Sequence, residues 1–397
     1  MSTENPLKVL GVSCIRADYD LLSGIYRRLN KMQDVDFRLM IGGAHLSSSF
    51  GDSLQEIHAD ELPILTSIES LIDSDMPSAR VKTAAVFMQS AIDAISTYQP
   101  NVVIYAGDRE DAFVTAMICA YLKVPTIHFF GGQHARDGNV DNPVRHAISK
   151  LSTFHFVSHQ RHRERLLCLG EHSKRIFVIG SPAIDKFQTE PWLSKEEVIG
   201  YFGTTQEKSS QRNYAVLIYH PVLHEEQTAA SEARTILQAL SKFDLHTFIS
   251  SPNTDAGARQ VLQVYEEYEK SEAFTFYQNA PRNIFINLLR HAKFLIGNSS
   301  LGLLEAPSIP LPAINVGSRQ KGRLAERNVI FVSANAEEIN DAIQKALSPE
   351  FADVLSDVNN PYGDGHSVER AVERIMSLDY EKWLPKWHDP LDLGTDL

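Results

Sequence analysis

The sequence predicts an α/β protein with two parallel-sheet domains. Short apolar runs alternate with amphipathic stretches along the whole chain, the pattern that builds βαβ units. The runs are continuous and rich in β-branched residues, as expected of strands that are covered on both faces. The pattern pauses in the polar stretch Gln188–Arg212, which we interpret as a joining region, and then starts again. The length of 397 residues fits two or three domains, at about 150 residues per domain.

In the first half, apolar runs that end in glycine or polar residues predict the strands. These are Leu7–Val12, Phe37–Ile41, Val102–Ala106, Thr126–Phe130, Phe154–Ser158 and Ile176–Ile179. Amphipathic stretches predict a helix that ends near Lys31 and two more over Ser78–Tyr98 and Arg161–Leu169.

The second half repeats the alternation. Its predicted strands are Tyr214–Tyr219, His246–Ser250, Phe274–Phe276, Phe294–Ile296 and Pro312–Val316. Its predicted helices are Thr228–Leu240, a helix ending near Lys270, Ile284–His291 and Val368–Leu378.

Charge and composition exclude several classes of protein. Lys and Arg number 38 against 50 Asp and Glu, a net charge of −12 that disfavours a nucleic-acid partner. The start of the sequence lacks the pattern of a signal peptide, and no apolar run approaches the roughly 18 residues that span a bilayer. Three cysteines without paired spacing predict no disulfide framework. We therefore expect a cytoplasmic protein with no membrane partner.

Polar side chains follow nearly every predicted strand. Ligands bind outside the carboxyl ends of strands in open α/β sheets, and two facing domains would align these loops along one cleft. Asp108, after the strand that ends at Ala106, and Asp141 are candidates for an acid and a base. The competing interpretation is a structural network in which an aspartate pairs with Arg109 or Arg145.

The segment Gly297–Glu305 is the most informative loop of the second half. Its small residues permit close backbone approach, and a serine at the start of the following helix favours phosphate binding. Glu305, about one turn into that helix, is placed to accept from ribose hydroxyls. The alternative is an ordinary serine-capped helix with an incidental glutamate.

Three further features suggest ligand contacts. The segment Ser318–Arg323 gathers three positive charges that suit a diphosphate, although it also fits a solvated turn. Arg16 follows the first strand, and His220 ends another, where a structural histidine is the alternative to a catalytic one. No histidine, cysteine or carboxylate spacing predicts a metal site.

Together these segments resemble the hydrolysing UDP-N-acetylglucosamine 2-epimerases of sialic-acid biosynthesis and their relatives in legionaminic-acid pathways. The resemblance runs from about residue 8 to about residue 375. It is carried by Arg16–Tyr19, Gly107–Arg109, Gly131-Gly132 with Asp141, Arg145–Lys150, Gly297–Ser300, Ile314–Arg323 and Tyr362–Gly365.

The resemblance implies a GT-B architecture, in which two Rossmann-like domains face a central cleft and a C-terminal helix crosses back to the first domain. We expect a sugar-side domain over 1–187, a nucleotide-binding domain over 188–370, and a returning helix and tail over 371–397. It also implies a homodimer or homotetramer and no cofactor.

The resemblance also assigns site residues. The implied catalytic set is Asp108, Asp141, His220, Gln133 and Arg145. The implied nucleotide-sugar contacts are Arg16, Asp18, Arg109, His45, Asn253, Ser299, Ser300, Glu305, Arg319 and Arg323. The implied reaction eliminates the nucleoside diphosphate across C1–C2 of the sugar and then hydrates the glycal with inversion at C2, in nonulosonic-acid or surface-polysaccharide biosynthesis.

Two positions depart from the family pattern. Gln133 stands where the sialic-pathway enzymes usually have a glutamate, and Phe130 replaces a histidine or glutamate. Because glutamine cannot exchange a proton, either Asp108, Asp137, Asp141 or His134 takes over that role, or the substrate or the reaction differs. Two other hypotheses are a GT-B glycosyltransferase and a nucleotide-sugar binding protein that has lost catalysis.

Overall fold

Parallel strand pairing gives the chain two sheets. The computed structural model describes residues 5–47, 53–74, 76–135, 140–203, 213–222, 226–252 and 257–390. Within these residues the strands form one seven-stranded and one six-stranded sheet, and all their pairings are parallel.

The first sheet has the order β3-β2-β1-β4-β5-β6-β7. Its strands are β1 (Leu7–Ser13), β2 (Val35–Gly42), β3 (Ile64–Ile68), β4 (Val102–Ala106), β5 (Thr126–Phe129), β6 (Phe154–Val157) and β7 (Ile176–Val178). The strand order reverses between β1 and β4, which are neighbours. Their carboxyl ends therefore flank the position where open α/β sheets bind ligands.

Helices follow these strands. They are α1 (Arg16–Asn30), α2 (Ser53–Ala59), α3 (Pro77–Tyr98), α4 (Glu110–Leu122), α5 (Asp141–Leu151), α6 (Gln160–Cys168), α7 (Pro182–Thr189) and α8 (Lys195–Tyr201). Val9 of β1 is buried in one apolar cluster with Leu22 of α1, and the next residue, Leu10, is buried in another with Phe87 of α3. Successive strand residues point to opposite faces, so a strand between two cores needs a continuous apolar run.

The second sheet has the order β10-β9-β8-β11-β12-β13, with its reversal between β8 and β11. Its strands are β8 (Tyr214–Ile218), β9 (His246–Ser250), β10 (Phe274–Tyr277), β11 (Leu295–Gly297), β12 (Ala313–Val316) and β13 (Val329–Val332). The helices of this region are α9 (Glu226–Leu240), α10 (Ala258–Glu267), α11 (Arg282–His291), α12 (Leu301–Leu304), α13 (Ala336–Ala346) and α14 (Pro349–Ser356).

The chain divides into two compact units, each built on one sheet. The first unit contains the chain up to His134, Val140–Lys186 and the segment from Tyr362 onward, and the second contains Phe187–Pro361. The corresponding boundaries predicted from the sequence lie after residues 187 and 370. None of the helices in the described ranges is both long and apolar enough to cross a membrane.

The C-terminal helix returns to the first unit, as predicted. Helices α15 (Ser367–Ser377) and α16 (Tyr380–Trp383) follow Tyr362, from which the chain belongs to the first unit again. Ala371 and Ile375 of α15 are completely buried in the cluster that contains the apolar face of α1. This packing ties the end of the chain to the sheet formed by its beginning.

A buried carboxylate also holds the tail on the first unit. Glu171 accepts hydrogen bonds from Nζ of Lys386 at 2.8 Å and from Nε2 of His155 at 3.0 Å, and it forms an ion pair with Nζ of Lys150 at 2.7 Å. Burial by itself raises the pKa of Glu171, but the bond from His155 and the neighbouring lysine charges outweigh it and lower the pKa to about 2. Glu171 is therefore an ionised anchor for the tail.

The structure corrects several sequence predictions. The predicted joining region Gln188–Arg212 contains the end of α7 and all of α8, whose start Ser194 caps with its hydroxyl. The predicted strand Thr126–Phe130 ends at Phe129, because Phe130 turns into the left-handed region at a φ of 64°. Helices α2, α4, α5 and α7 were not predicted.

Two edge strands and two later helices were also missed. β3 contains polar residues and lies mostly half-buried, so it lacks the continuous apolar run of an interior strand. β13 is a continuous apolar run, Val329–Val332, but it exposes Phe331 to solvent. Helices α13 and α14 lie in the stretch between Pro312–Val316 and the C-terminal helix, for which no element was predicted.

Candidate functional site

In the first unit, an ion pair connects the loop after β4 to helix α5. Asp108 follows β4, and its carboxylate pairs with Nη2 of Arg145 on α5. Nη1 of Arg145 donates to the carbonyl of Gln133 at 3.0 Å. Only 10% of the Arg145 side chain is exposed. The structure thus brings together three predicted catalytic residues and pairs Asp108 with Arg145, which was the structural alternative from the sequence.

A constrained loop places Gln133 in this group. Gly132 has a φ of +75°, and a Cβ there would lie 2.3 Å from the carbonyl oxygen of His162, so only glycine fits. Phe130 holds the left-handed region without being glycine, which costs on the order of 1–3 kcal/mol. Its ring is buried and its main-chain N–H donates to the Phe156 carbonyl at 3.0 Å. Packing thus holds a strained turn immediately before Gln133.

Asp141 is the first residue of α5, one turn before Arg145. Its carboxylate lies 3.9 Å from Nη2 of Arg80, which also donates to Glu110 at 2.7 Å. The helix N-terminus favours a negative charge at this position. The ion pair of Arg145 with Asp108 thus brings both predicted acid/base residues to the same end of α5.

Asp18 and His45 were both predicted as ligand contacts, and both are buried, Asp18 in the first turn of α1 and His45 in the 3-10 turn after β2. Asp18 accepts from the main-chain N–H groups of Cys14 at 3.1 Å, Ile15 at 3.0 Å and Tyr19 at 2.9 Å. Burial raises the pKa of Asp18 to about 6 in spite of these bonds. The carboxyl therefore fixes the turn that leads into α1.

The hydroxyl of Ser13 joins the same two side chains. Its Oγ lies 3.0 Å from Oδ1 of Asp18 and 2.9 Å from Nε2 of His45. Burial lowers the pKa of His45 to about 4, so its ring is neutral at pH 7. His45 thus shapes the loop as an uncharged group.

Asp111, in the first turn of α4, is a titratable residue that the sequence analysis missed. Burial, followed by the charge of Asp18, raises the pKa of Asp111 to about 7, while Arg109 opposes the shift with its Nε 4.0 Å from Oδ1. The sequence signal is the second acid of Glu110-Asp111, which resembles an ordinary acidic helix start. The end of β4 thus carries a carboxyl that titrates near neutral pH.

Two predicted arginine contacts lie at helix starts of the first unit. Arg16 begins α1, with its Nε 3.8 Å from Oε2 of Glu56. Arg109 precedes α4, with Nη2 3.5 Å from Oε1 of Glu110. Both arginine side chains are about one-third exposed, so they remain accessible to an anion.

In the second unit, Asn298 binds His220 across the sheet reversal. Its Oδ1 accepts from the main-chain N–H of His220 at 2.8 Å, and its Nδ2 donates to the His220 carbonyl at 2.7 Å. Gly297, with a φ of +126°, lies so close to β8 that a Cβ would be 2.0 Å from the Ile218 oxygen. Burial and then the charge of Arg319 lower the pKa of His220 to about 3. The predicted catalytic histidine is therefore held as a neutral ring.

The helix after the Gly297 loop differs from the prediction. It is a single turn, Leu301–Leu304, and Glu305 lies at its end instead of one turn inside it. Ser300 occupies the N-cap position without a side-chain cap, and Ser299 Oγ accepts from the main-chain N–H of Leu301 at 3.3 Å. The helix is short because a 3-10 turn begins directly at Ala306 before Pro307.

The basic segment after β12 folds onto the same loop. Nη1 of Arg319 and Nε2 of Gln320 both donate to the carbonyl of Asn298, at 3.1 and 2.9 Å. Nη1 of Arg323 donates to Oε1 of Gln320 at 2.9 Å. Of the three basic residues, Lys321 alone is exposed, so the segment is not simply a solvated turn. Gln320, 1% exposed, is a positioning residue that sequence reasoning missed.

Three predicted residues remain, and two of them lie outside the part of the chain that the structure describes. Asn253 and Asp137 fall outside the described residues. His134 stacks on His146 with ring centroids 6.0 Å apart. Within the described ranges, no group of three or more His, Cys, Asp or Glu side chains is arranged to hold a metal ion.

Comparison with known proteins places these features in a family. The sequence model of the family described as UDP-N-acetylglucosamine 2-epimerase matches residues 27–376. A UDP-N,N'-diacetylbacillosamine 2-epimerase (hydrolyzing) of Legionella pneumophila is 31% identical over 94% of this chain and 96% of that protein. A GDP/UDP-N,N'-diacetylbacillosamine 2-epimerase (hydrolyzing) of Campylobacter jejuni is also 31% identical, over 87% of this chain and 88% of its own.

The fold is shared with solved structures. The crystal structure of a UDP-GlcNAc 2-epimerase from Neisseria meningitidis bound to UDP-GlcNAc superposes with a TM-score of 0.80 at 18% identity, covering 94% of this chain and all of that one. The predicted GT-B-like class, with two parallel-sheet α/β domains, is thereby confirmed. The chain belongs to the UDP-N-acetylglucosamine 2-epimerase family.

Proposed function

We propose that the chain is a hydrolysing nucleotide-sugar 2-epimerase. Its substrate would be UDP-GlcNAc or a related UDP- or GDP-linked 2-acetamido sugar, and its products the free 2-epimeric sugar and the nucleoside diphosphate. The observation that carries the proposal is the Asp108–Arg145 ion pair beside Gln133, at the edge of the sheet where ligands bind. Two relatives that are named hydrolysing 2-epimerases support it.

The chemistry needs a base and an acid at one sugar. A base removes the C2 proton while the C1–O bond to the diphosphate breaks, and the electron pair forms the C1=C2 double bond of a glycal. Water then supplies a hydroxyl to C1, and an acid returns a proton to C2 on the opposite face. One water is consumed for each diphosphate released, and a placed acid or base typically contributes about 10²–10⁴ in rate.

The first unit supplies the groups for these proton transfers in this proposal. Asp108 and Asp141 act as acid and base, and Arg145 orients Asp108 through their ion pair. Gln133 orients a sugar hydroxyl or acetamido group by hydrogen bonding, because its amide cannot exchange a proton. Asp108 and Asp141 therefore carry the proton transfers, in which Gln133 cannot take part.

The second unit supplies the binding of the leaving group. Ser299 and Ser300 bind phosphate oxygens, Glu305 the ribose, and the guanidinium groups of Arg319 and Arg323 the diphosphate charge. Arg319 is held at the Asn298 carbonyl, so its position is set before the ligand binds. Arg16 and Asn253 complete the nucleotide contacts in this proposal. The free sugar would then enter nonulosonic-acid or surface-polysaccharide synthesis.

Release of nucleoside diphosphate tests the proposal. The purified chain is incubated with UDP-GlcNAc, GDP-GlcNAc and their diacetamido analogues, and the diphosphate is quantified by chromatography. We expect release from at least one sugar, and Asp108→Asn lowers kcat by about 10²–10⁴. Glu164→Gln, at an exposed position of α6, is the matched control and keeps the wild-type rate.

Two outcomes would contradict the proposal. If no sugar of the panel yields diphosphate, the chain is not a hydrolysing epimerase of this class. If wild type binds these ligands without turnover and Gln133→Glu does not recover activity, the chain is a nucleotide-sugar binding protein. The glutamine at position 133 is the reason for testing this second outcome.

A further inference from the structure

A buried histidine and serine connect the three segments that form the candidate acid/base site. His128 lies on β5 and Ser149 on α5, and neither side chain has any exposed surface. Nε2 of His128 lies 2.7 Å from the carbonyl oxygen of Gly107, and Nδ1 lies 3.0 Å from Oγ of Ser149. The two residues thus bridge the end of β4 to helix α5 through β5.

The geometry determines which nitrogen of His128 carries the proton. A carbonyl oxygen only accepts, so Nε2 must carry the hydrogen that bonds to Gly107. Burial, opposed by this bond to Gly107, lowers the pKa of His128 to about 3, and the ring is neutral. Nδ1 is then an acceptor, and the single hydroxyl hydrogen of Ser149 is shared between Nδ1 and the carbonyl oxygen of Arg145, each 3.0 Å from Oγ. The hydrogen-bond chain therefore connects α5 to the end of β4, with Nε2 of His128 as the donor to Gly107.

These hydrogen bonds hold the backbone next to the residues of the acid/base site. Gly107 has a φ of +86° and directly precedes Asp108, so fixing its carbonyl fixes the peptide that carries the carboxylate. Ser149 lies one turn after Arg145 on the same helix, and Arg145 pairs with Asp108. The ion pair and the histidine bridge are thus two links between the same helix and the same strand end.

The fit around the bridge leaves little room for rearrangement. A Cβ at Gly131 would lie 3.0 Å from Oγ of Ser149 and 3.1 Å from Nδ1 of His128. His128 also lies against the ring of Tyr105 on β4, with centroids 5.9 Å apart. The imidazole is therefore confined between the loop that leads to Gln133 and the strand that leads to Asp108.

We propose that His128 is a positioning residue for catalysis, which holds the Gly107–Asp108 peptide in register with Arg145 through the hydrogen-bond chain from Ser149. It does not touch the substrate and exchanges no proton in the reaction. The kinetic part of this inference rests on the proposed function, whereas the hydrogen-bond chain does not.

Two serines at the end of α5 provide a matched comparison. Ser149 and Ser152 are both completely buried, and both place Oγ near the carbonyl four residues earlier, at 3.0 and 2.7 Å. Only Ser149 reaches His128, whereas Ser152 lies 2.8 Å from the hydroxyl of Tyr105. Ser149→Ala and Ser152→Ala therefore make similar losses in the helix but differ in the bridge.

The kinetic test compares these variants with His128→Phe and His128→Gln. We expect His128→Phe to lower kcat by about 10- to 100-fold with KM within about twofold, because small displacements of catalytic groups cost rate. Ser149→Ala lowers kcat in the same direction, His128→Gln recovers most of the loss through its amide donor, and Ser152→Ala keeps the wild-type kcat. Equal kcat values in Ser149→Ala and Ser152→Ala would overturn the proposal.

A second measurement is independent of activity. Two-bond ¹H–¹⁵N correlation spectra of protein labelled in its histidines distinguish a protonated from an unprotonated ring nitrogen, and loss of a signal in His128→Gln assigns it. We expect His128 to be neutral with its hydrogen on Nε2 between pH 5 and pH 8. A hydrogen on Nδ1, or a titration in this range, would overturn the bridge even if the wild type turned over no sugar of the panel.

Discussion

Replacing Arg145 by methionine removes the guanidinium that pairs with Asp108 and keeps much of the aliphatic side chain. The exposed fractions are 10% for the Arg145 side chain and 23% for that of Asp108, so the pair is partly shielded from water. Opposite charges about 4 Å apart interact by about 4 kcal/mol at an effective dielectric constant near 20. Solvent at Asp108 reduces this figure, and we expect a coupling free energy on the order of 2 kcal/mol.

A double-mutant cycle measures this coupling. Urea unfolding of wild type, Arg145→Met, Asp108→Asn and the double variant gives the free energy of unfolding of each. All four are made in a Trp192→Phe background, because Trp192 belongs to the second unit whereas Trp383 and Trp387 belong to the first. Tryptophan fluorescence then reports the unit that contains the ion pair.

The more exposed pair of Arg80 and Glu110 is the matched control. Its side chains are 49% and 18% exposed, and exposed pairs contribute roughly 0.2–1 kcal/mol. We expect the cycle on Arg145 and Asp108 to exceed the cycle on Arg80 and Glu110. A coupling below about 0.5 kcal/mol for Arg145 and Asp108, or one equal to the control, would refute the inference that this pair fixes the site.

Three further predictions follow from the described contacts. Gly132→Ala destabilises the first unit by on the order of 3 kcal/mol in thermal or urea unfolding, because its Cβ meets the His162 carbonyl, whereas Gly200→Ala, in open space on α8, is neutral or stabilising. Glu171→Gln lowers the free energy of unfolding by on the order of 3 kcal/mol at pH 7, and because the folded pKa of Glu171 is depressed, the difference shrinks as the pH falls from about 5 toward 2. Asp111→Asn removes a carboxyl whose folded pKa is raised. The free energy of unfolding of this variant therefore rises relative to that of wild type, by on the order of 1–3 kcal/mol, as the pH increases from 5 to 8.

Each of these predictions has a contrary result. An unchanged stability of Gly132→Ala would mean that the loop before Gln133 relaxes freely. A difference between wild type and Glu171→Gln that stays constant below pH 5 would mean that Glu171 is not held ionised. If the difference in free energy of unfolding between Asp111→Asn and wild type stayed constant with pH, Asp111 would titrate as an exposed carboxyl does.

The interior of each sheet was predictable because both faces are covered. Val102–Ala106 and His246–Ser250 have the observed bounds, since every residue of an interior strand must be apolar or satisfied. The edge strand Ile64–Ile68 does not obey the same rule, because it contains polar residues and an exposed position. The edge strand Val329–Val332 is an apolar run that satisfies the rule, and it was missed. The number of strands in each sheet thus required the structure.

The location of the candidate site followed from polar residues at strand ends, but its connections did not. Asp108 and His220 were identified from that rule, whereas Gln133 was assigned by the family resemblance. The bonds of His128 to Gly107 and of Gln320 to Asn298 join residues more than 20 positions apart, and no local pattern encodes such pairs. Long-range hydrogen bonds therefore determine the orientation of side chains that the sequence only placed in loops.

The local sequence pattern also misjudged the length of the helix after the Gly297 loop. Gly297–Glu305 predicted a serine-capped helix with Glu305 inside it, whereas the helix is a single turn that ends at Leu304. Pro307 follows within three residues, and its missing N–H is compatible with a 3-10 turn at that point but not with a long helix interior. The position of Glu305 at the helix end follows from this turn.

The fate of the C2 proton tests the proposed reaction most directly. A ¹H NMR time course in D₂O follows the accepted nucleotide sugar, the diphosphate and the free sugar in one sample. A hydrolysing epimerase predicts a free 2-epimeric sugar with deuterium at C2, formed at the same rate as nucleoside diphosphate. An intact nucleotide sugar epimerised at C2, or a sugar transferred with its C2 proton retained, would contradict the proposed function.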